Sequence, residues 1–258
     1  MKTSTSSKSK IFSRLAAVAV WLIVWQTVSS VVNKELLIAS PVQVGLRLFE
    51  LIKTQEFWLT TLRSLLKITE GYLLGVICGT LTAVLTAAVP FCYELFYPLI
   101  STVRATPVAS FIILALVWLK RDNISVFICF LMVLPIVWAN VTQGIVSVDK
   151  KLIEMARVYS FSKGKLLRLV YIPSVMPSFA TGLTTALGLA WKAGIAAEVL
   201  STPKGYIGTE LYNSKVYLET ADLFAWTVVV ILLSFIFEKL VVKLLEKLLK
   251  GERVHDKT

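Results

Sequence analysis

The chain has 258 residues, of which 56% are hydrophobic and only 17% charged, with a mean hydropathy of +0.75. That balance excludes an ordinary soluble domain and points to a polytopic membrane protein. The formal charge of +11 suits nucleic acid, but it is also what membrane proteins gain from Lys and Arg on their cytoplasmic side, so the position of the charges has to decide.

In chain order, residues 1–10 form a basic, Ser-rich tail. Ile11 to Val32 then makes a first apolar stretch long enough to cross a hydrocarbon core of about 30 Å, which takes about 20 helical residues. It also has features of a cleavable signal peptide, since Val28-Ser29-Ser30 offers small residues, but its apolar length favours an uncleaved crossing. Residues 33–61 form an extracytoplasmic loop. Within it Ser40 to Phe57 reads as an amphipathic helix along the outer membrane face, with Pro41 in its first turn and Val42, Leu46, Leu48, Phe49, Leu51 and Ile52 among charges.

A core over residues 62–248 supplies five more crossings, near Ile68–Val89, Phe96–Leu119, Ile124–Val146, Pro177–Val199 and Ala221–Val242. These runs are too long and too continuously apolar for barrel strands, which alternate over about 10 residues. The last continues into an amphipathic, lysine-bearing end (Leu240 to Lys250), followed by a tail over 249–258. The expected fold is thus an all-α membrane protein with six transmembrane helices and both termini on one side. Gly71, Gly75 and Gly79 put three small residues on one face of the second crossing, for close approach by a helix of the same chain or of a second subunit.

Sixteen of the 27 Lys and Arg residues lie within residues 1–14, the 150–170 segment and residues 239–257. Seven lie in the opposite loops, and Arg63, Lys67, Arg104 and Lys192 lie in or against the crossings. The asymmetry places both termini and the 150–170 segment in the cytoplasm and removes most of the case for nucleic acid.

Enzyme chemistry is sparse. The single histidine, His255, sits in a polar tail, so neither a histidine metal cluster nor a His-assisted buried nucleophile is available, and no catalytic residue or cofactor is expected. Cys78, Cys92 and Cys129 are far apart and read as small buried hydrophobes. The nearest look-alike of a phosphate loop, Ser160 to Lys165, lacks the glycine spacing and a preceding strand, so this chain does not bind ATP by that route.

Between the fourth and fifth crossings, residues 149–172 interrupt the apolar sequence with a basic, amphipathic insert. Leu152, Ile153, Leu166, Leu167, Leu169 and Val170 recur at helical intervals, which a plain solvated loop would not need. Glu154, Met155, Ala156 and Arg157 fall on one short helix, a break lies near Ser160 to Ser162, a second run starts at Lys163, and Pro173 closes the segment.

Glu154-Met155-Ala156 with Ser160, then nine residues, then Val170-Tyr171-Ile172-Pro173, resembles the EAA motif of permease subunits of ATP-binding-cassette (ABC) importers; the Glu-to-Pro interval of 19 matches. More of the chain, from about residue 35 to 245, is similar to the nitrate/sulfonate/taurine branch: Ser40-Pro41-Val42, Arg104-Ala105-Thr106-Pro107, Ser147-Val148-Asp149, Ile172 to Pro177, and Ala197-Glu198. The resemblance implies the type I importer permease (MetI-like) fold and a multi-pass protein of the bacterial plasma membrane. It implies a coupling helix seated in a separate ATPase subunit, with Glu154 and Arg157 as rim contacts and Ala156 allowing a close seat. It further implies substrate delivery by an extracytoplasmic binding protein and a second permease copy, as a homodimer or heterodimer.

Ser160 departs from the glycine of the motif. A left-handed bend costs serine roughly 1 kcal/mol or more, so the bend is expected to be made differently or to move toward Ser162–Gly164. Inside the membrane, charges usually face a cavity or a partner. Arg104 and Lys192 are the candidates to line a path for an anionic solute, with Trp191 and Glu198 behind them; the alternative is that Arg104 snorkels and Lys192 pairs with Glu70 or Glu198. A secondary transporter or channel is the rival function, but it would carry its own coupling chemistry, with repeated halves or broken helices and intramembrane acids, whereas Glu70 is the only acidic residue well inside an early crossing.

Overall fold

The structure is a computed structural model that describes residues 7–32, 34 and 36–254; His255 and the first six residues lie outside it. All regular elements among the described residues are helical. Helix α1 spans Ser7–Val32 and touches the rest of the chain sparingly: Trp25 donates its indole N–H to Ala39 O at 3.1 Å and stacks on Phe224 with ring centroids 5.6 Å apart.

Helix α2 spans Pro41–Ile52 and starts in a capping box, in which the Ser40 hydroxyl accepts from Gln43 N–H while the Gln43 side chain accepts from Ser40 N–H. Val44 faces inward and Val42, Leu46 and Phe49 face outward, the division expected of a helix lying on a membrane face. Arg47 grips both oxygens of Asp222 and also Glu50, tying α2 to the start of the last helix. The expected helix to Phe57 ends earlier, because Thr54 caps a new helix by accepting from Phe57 N–H.

That new helix, α3 (Gln55–Ala88), runs parallel to α6 (Arg121–Val146), with Lys67 meeting Asn123 toward one end and Thr86 meeting Trp138 toward the other, and α6 is flanked on its other side by α9 (Ile172–Ser201). The glycines explain the approach. A Cβ on Gly71 would sit 2.4 Å from Val126 O, one on Gly75 would sit 2.6 Å from Val133 Cβ, and one on Gly79 would sit 2.8 Å from Leu134 O. Gly182 lies equally close to Asn140, and a Cβ on Gly194 would strike both Ile68 and Cys129, where α3, α6 and α9 meet. The three-glycine face therefore packs within the protomer.

Between α3 and α6 the chain forms α4 (Pro90–Ala105) and α5 (Val108–Trp118), bent by 105° at Thr106-Pro107. The expected straight third crossing, Phe96–Leu119, is therefore corrected. Thr106 and Pro107 both adopt ψ near 135°, in keeping with the steric bar that proline places on a helical residue before it. At 1.5 Å per residue, α5 extends only about 16 Å and cannot span a bilayer alone.

After α9, helix α10 (Ile207–Val216) folds back on its end, and α11 (Thr220–Val254) returns along α2 and α9. Of the six expected straight crossings, α3, α6, α11 and the continuous rod ending in α9 are long and apolar enough to span; the third is the broken pair; and the first is represented by the shorter apolar stretch Ala16–Val32.

Gly75→Ala is expected to lower the stability of the detergent-solubilised protein by about 1–3 kcal/mol, because the added methyl overpacks the α3–α6 contact. Gly45→Ala in α2, where a Cβ meets nothing within 4 Å, should raise it by about 0.5–1 kcal/mol. Thermal unfolding of the two variants side by side checks both signs.

Candidate functional site

The basic insert folds as two short helices below the bundle. Asp149 caps α7 (Lys150–Val158) by accepting from Lys151 N–H at 2.9 Å. The helix closes with Ser160 N–H donating to Arg157 O and Phe161 N–H donating to Ala156 O, both at 2.9 Å, a paired closure of the Schellman type. Ser160 takes the left-handed conformation at φ +51°. The expected displacement of the bend is thus corrected: it stays at Ser160 with the hand a glycine would give it, and the two closing hydrogen bonds offset the strain on serine.

Ser162 then caps α8 (Lys163–Leu166) by accepting from Lys165 N–H. A π-helical turn, Leu167–Tyr171, links α8 to α9, with Ile172 N–H donating to Leu167 O, five residues back. Pro173 accounts for the widened turn: it has no N–H to offer Leu169 O, and its ring presses on that carbonyl.

Ala156 points inward, only 2% exposed, and packs with Val148 and Val170, with Ile153, Phe161 and Leu166 around them. The expectation that Ala156 lets a partner seat closely is corrected, since its small side chain lets α7 close onto the start of its own α9. The outward face carries Leu152, Met155, Val158 and Tyr159 among Glu154 and Arg157, with Val158 81% and Tyr159 70% exposed. Among the described residues the ion pairs join Arg47 to Glu50 and Asp222 and Lys67 to Glu70, so Glu154 and Arg157 have none. Lys163 and Pro173 are exposed beside this face. Sequence reading took the charges as the contact and missed the apolar knobs Val158 and Tyr159; their signal was an amphipathic helix with apolar residues on two faces.

At the opposite end, Glu198 is fully buried. Its Oε2 accepts from Ser64 Oγ–H at 2.8 Å and from Gly208 N–H at 3.0 Å, while Ser64 Oγ accepts from Ile207 N–H at 2.9 Å. One carboxylate thus joins α3 and α9 to the positive N-terminus of α10. A Cβ at Gly208 would lie 2.3 Å from Glu198 Cβ, so only glycine permits the approach. Ser64 and Gly208 carried no signal in the sequence, because their partner is remote from both.

Trp191 is 2% exposed and donates its indole N–H to Val230 O of α11 at 3.1 Å. Trp191 and Glu198 therefore face the protomer's own packing. Arg104, in the last turn of α4, and Lys192, in α9, are exposed, and neither pairs with Glu70 or Glu198.

A bundle of apolar helices packed through glycines, with a basic helical insert held out at one end, defines a multi-pass membrane protein of the permease class. The chain belongs to the family of binding-protein-dependent transport system inner membrane components, whose model matches residues 71–251. It is a permease subunit of the ABC importer type, a family that works in the inner membrane with a separate ATPase and a substrate-binding protein.

Among similar proteins, a nitrate import permease of Synechocystis is 28% identical over 81% of this chain and 80% of its own length. The taurine transport system permease of Escherichia coli is 25% identical over 87% and 84%. A bicarbonate transport system permease of Synechocystis is 31% identical over 59% and 54%. The fold matches a chain of an amino acid ABC transporter (TM-score 0.59, 16% identity, 74% of this chain and 92% of that one). It also matches a chain of a bacterial alginate ABC transporter solved with its alginate-bound periplasmic protein (TM-score 0.54, 13% identity, 91% and 92%).

Ser160→Gly should stabilise the protein by about 1 kcal/mol through relief of the left-handed strain. Glu198→Ala should cost about 2–3 kcal/mol by stranding the Ser64 and Gly208 donors, and Glu198→Gln, which keeps an acceptor, should cost less. Melting temperatures of the three variants test the order.

Proposed function

We propose that this chain forms, as one of two identical copies, the membrane path for a small anionic solute handed over by an extracytoplasmic binding protein. Its termini and the 149–172 insert face the cytoplasm, where α7 seats in a groove of an ATPase subunit. The anionic substrate class is supported by the relatives named for nitrate and bicarbonate and by Arg104 and Lys192, exposed cations without an ion pair among the described residues.

The observation that carries the coupling reading is the outward face of α7, where Met155, Val158 and Tyr159 stand free of their own bundle between Glu154 and Arg157. Exposed aromatic and Met side chains ringed by charge are the composition of a protein contact, with the apolar centre supplying affinity and the charges setting register. The inner face of α7 packs in an apolar cluster with Val170 and Tyr171 of the π turn and Val175 at the start of α9. A displacement imposed by the ATPase would therefore reach a membrane-spanning rod directly.

Tyr159→Asp together with Met155→Asp is expected to abolish co-purification of the ATPase and ATP-driven uptake, with the melting temperature of the isolated permease unchanged. Charge reversal at both Glu154 and Arg157 should weaken the same complex at least tenfold. Uptake by vesicles that hold this chain without any ATPase would overturn the reading in favour of a secondary carrier or channel.

A further inference from the structure

The exposed faces of the spanning helices are not alike. On α3 the exposed residues include Leu73, Ile77 and Leu81, and on α11 Leu232, Phe235 and Ile236, side chains suited to lipid. The exposed face of α9 runs through Thr181, Thr185, Leu189, Lys192, Ala196 and Leu200, one helical stripe in which small, polar and cationic residues outnumber the two leucines. Its neighbours Trp191, Ala193 and Gly194 are buried, so Lys192 alone at this level turns away from the bundle.

Lys192 lies seven residues before Val199, about 10 Å along the helix. A lysine held at that depth against lipid is unfavourable unless it reaches water or an anion. The described residues offer it no carboxylate: Glu198 is committed to Ser64 and Gly208, and Glu70 to Lys67.

A second exposed cation borders the same apolar cluster in sequence. Lys192 adjoins Ala193, and Arg104 adjoins Val103; Ala193 and Val103 pack in one apolar cluster with Ile112 and Ile128. Arg104 also ends α4 at the 105° break, where the broken span leaves helix ends in place of a continuous rod. Each of these two cations, without an ion pair among the described residues, is thus one position in sequence from a residue of the cluster that joins α4, α5, α6 and α9.

We infer that the α9 face centred on Lys192 lines a water-filled path, and that Lys192 is the cationic contact that a small oxyanion or sulfonate meets on its way across, with Arg104 as the second charge. This rests on the permease reading above and names the specificity-determining residue within it. Lys192 binds the anion by charge and hydrogen bonding and has no chemical step to perform.

The test needs no knowledge of the natural solute. In the assembled transporter, with Cys78 and Cys92 replaced by alanine and the buried Cys129 retained, single cysteines are placed by Thr185→Cys, Ala196→Cys and, as a lipid-face control, Leu81→Cys. Each is treated with two thiol reagents of similar size, sulfonatoethyl methanethiosulfonate and trimethylammonioethyl methanethiosulfonate. The stripe cysteines should react, the anionic reagent about tenfold faster than the cationic one relative to their reactivity with free thiol, and Leu81→Cys should stay silent.

Lys192→Gln should abolish that preference, and Lys192→Arg should keep it and guard against a folding artefact. Silent stripe cysteines, or a preference untouched by Lys192→Gln, overturn the path. ATPase co-purification measured on the same preparations separates that failure from failure of the permease reading, since a path error leaves the complex intact.

Discussion

Close approach of α3 and α9 to the two sides of α6 is the constraint on which the rest of the molecule depends. In lipid, helices gain little from the hydrophobic effect on association, so packing must come from intimate van der Waals contact, and glycine is what brings backbones close enough. Gly71, Gly75 and Gly79 on one side of α6, and Gly182 and Gly194 on the other, meet neighbours where any Cβ would overlap. The polar bonds inside this trio are few and inward: Tyr72 donates to Leu183 O at 3.1 Å, and Trp138 donates to Thr86 Oγ1 at 2.9 Å. The leucines are thereby left to face lipid.

Given that trio, both ends of α9 become attachment points. At one end the π turn and Pro173 join it to the insert, and Val170 packs under Ala156. At the other, Glu198 holds Ser64 of α3 and the first turn of α10. The rod from Lys163 to Ser201 is continuous, so on the proposed coupling a push on the outward face of α7 is delivered along α9 to the outer end. A widened turn beside two prolines is the softest place in such a rod, which puts compliance next to the insert and rigidity in the bilayer.

Much of this was legible in the sequence. The insert declared itself by interval and periodicity, and its bend by position, although serine at Ser160 pointed away from the left-handed turn it makes; the two hydrogen bonds that hold it there are tertiary information in a local guise. The glycine triplet was legible as a close contact, and its partner was not, because a small residue says how near a helix comes and nothing about which one. The break in the third crossing was hidden for a related reason. Pro98, Pro135 and Pro177 all sit inside continuous helices, so Pro107 in an equally apolar run gave no distinguishing mark. Trp191 and Glu198 were misplaced toward the path because polar atoms in a span suggest function, whereas here each satisfies a neighbouring backbone or hydroxyl group. Arg104 and Lys192 stay exposed for the opposite reason, since no ion pair among the described residues reaches them.

On the proposed path, the contrast between Glu198 and Lys192 separates holding from conducting on one helix. They lie six residues apart on α9, about 600° of helical rotation at 100° per residue, or 240° after one full turn, so they face largely different directions. The carboxylate is dry and hydrogen-bonded, where breaking its contacts leaves buried donors unpaired; it suits a fixed joint. The ammonium is unpaired and exposed, where its favourable partner must be mobile, either water or a passing anion. A joint that also met the solute would have to open its own hydrogen bonds with each transit. Under the proposed path, placing the two groups on different faces would let α9 move as a body while the Lys192 side exchanges ligands freely.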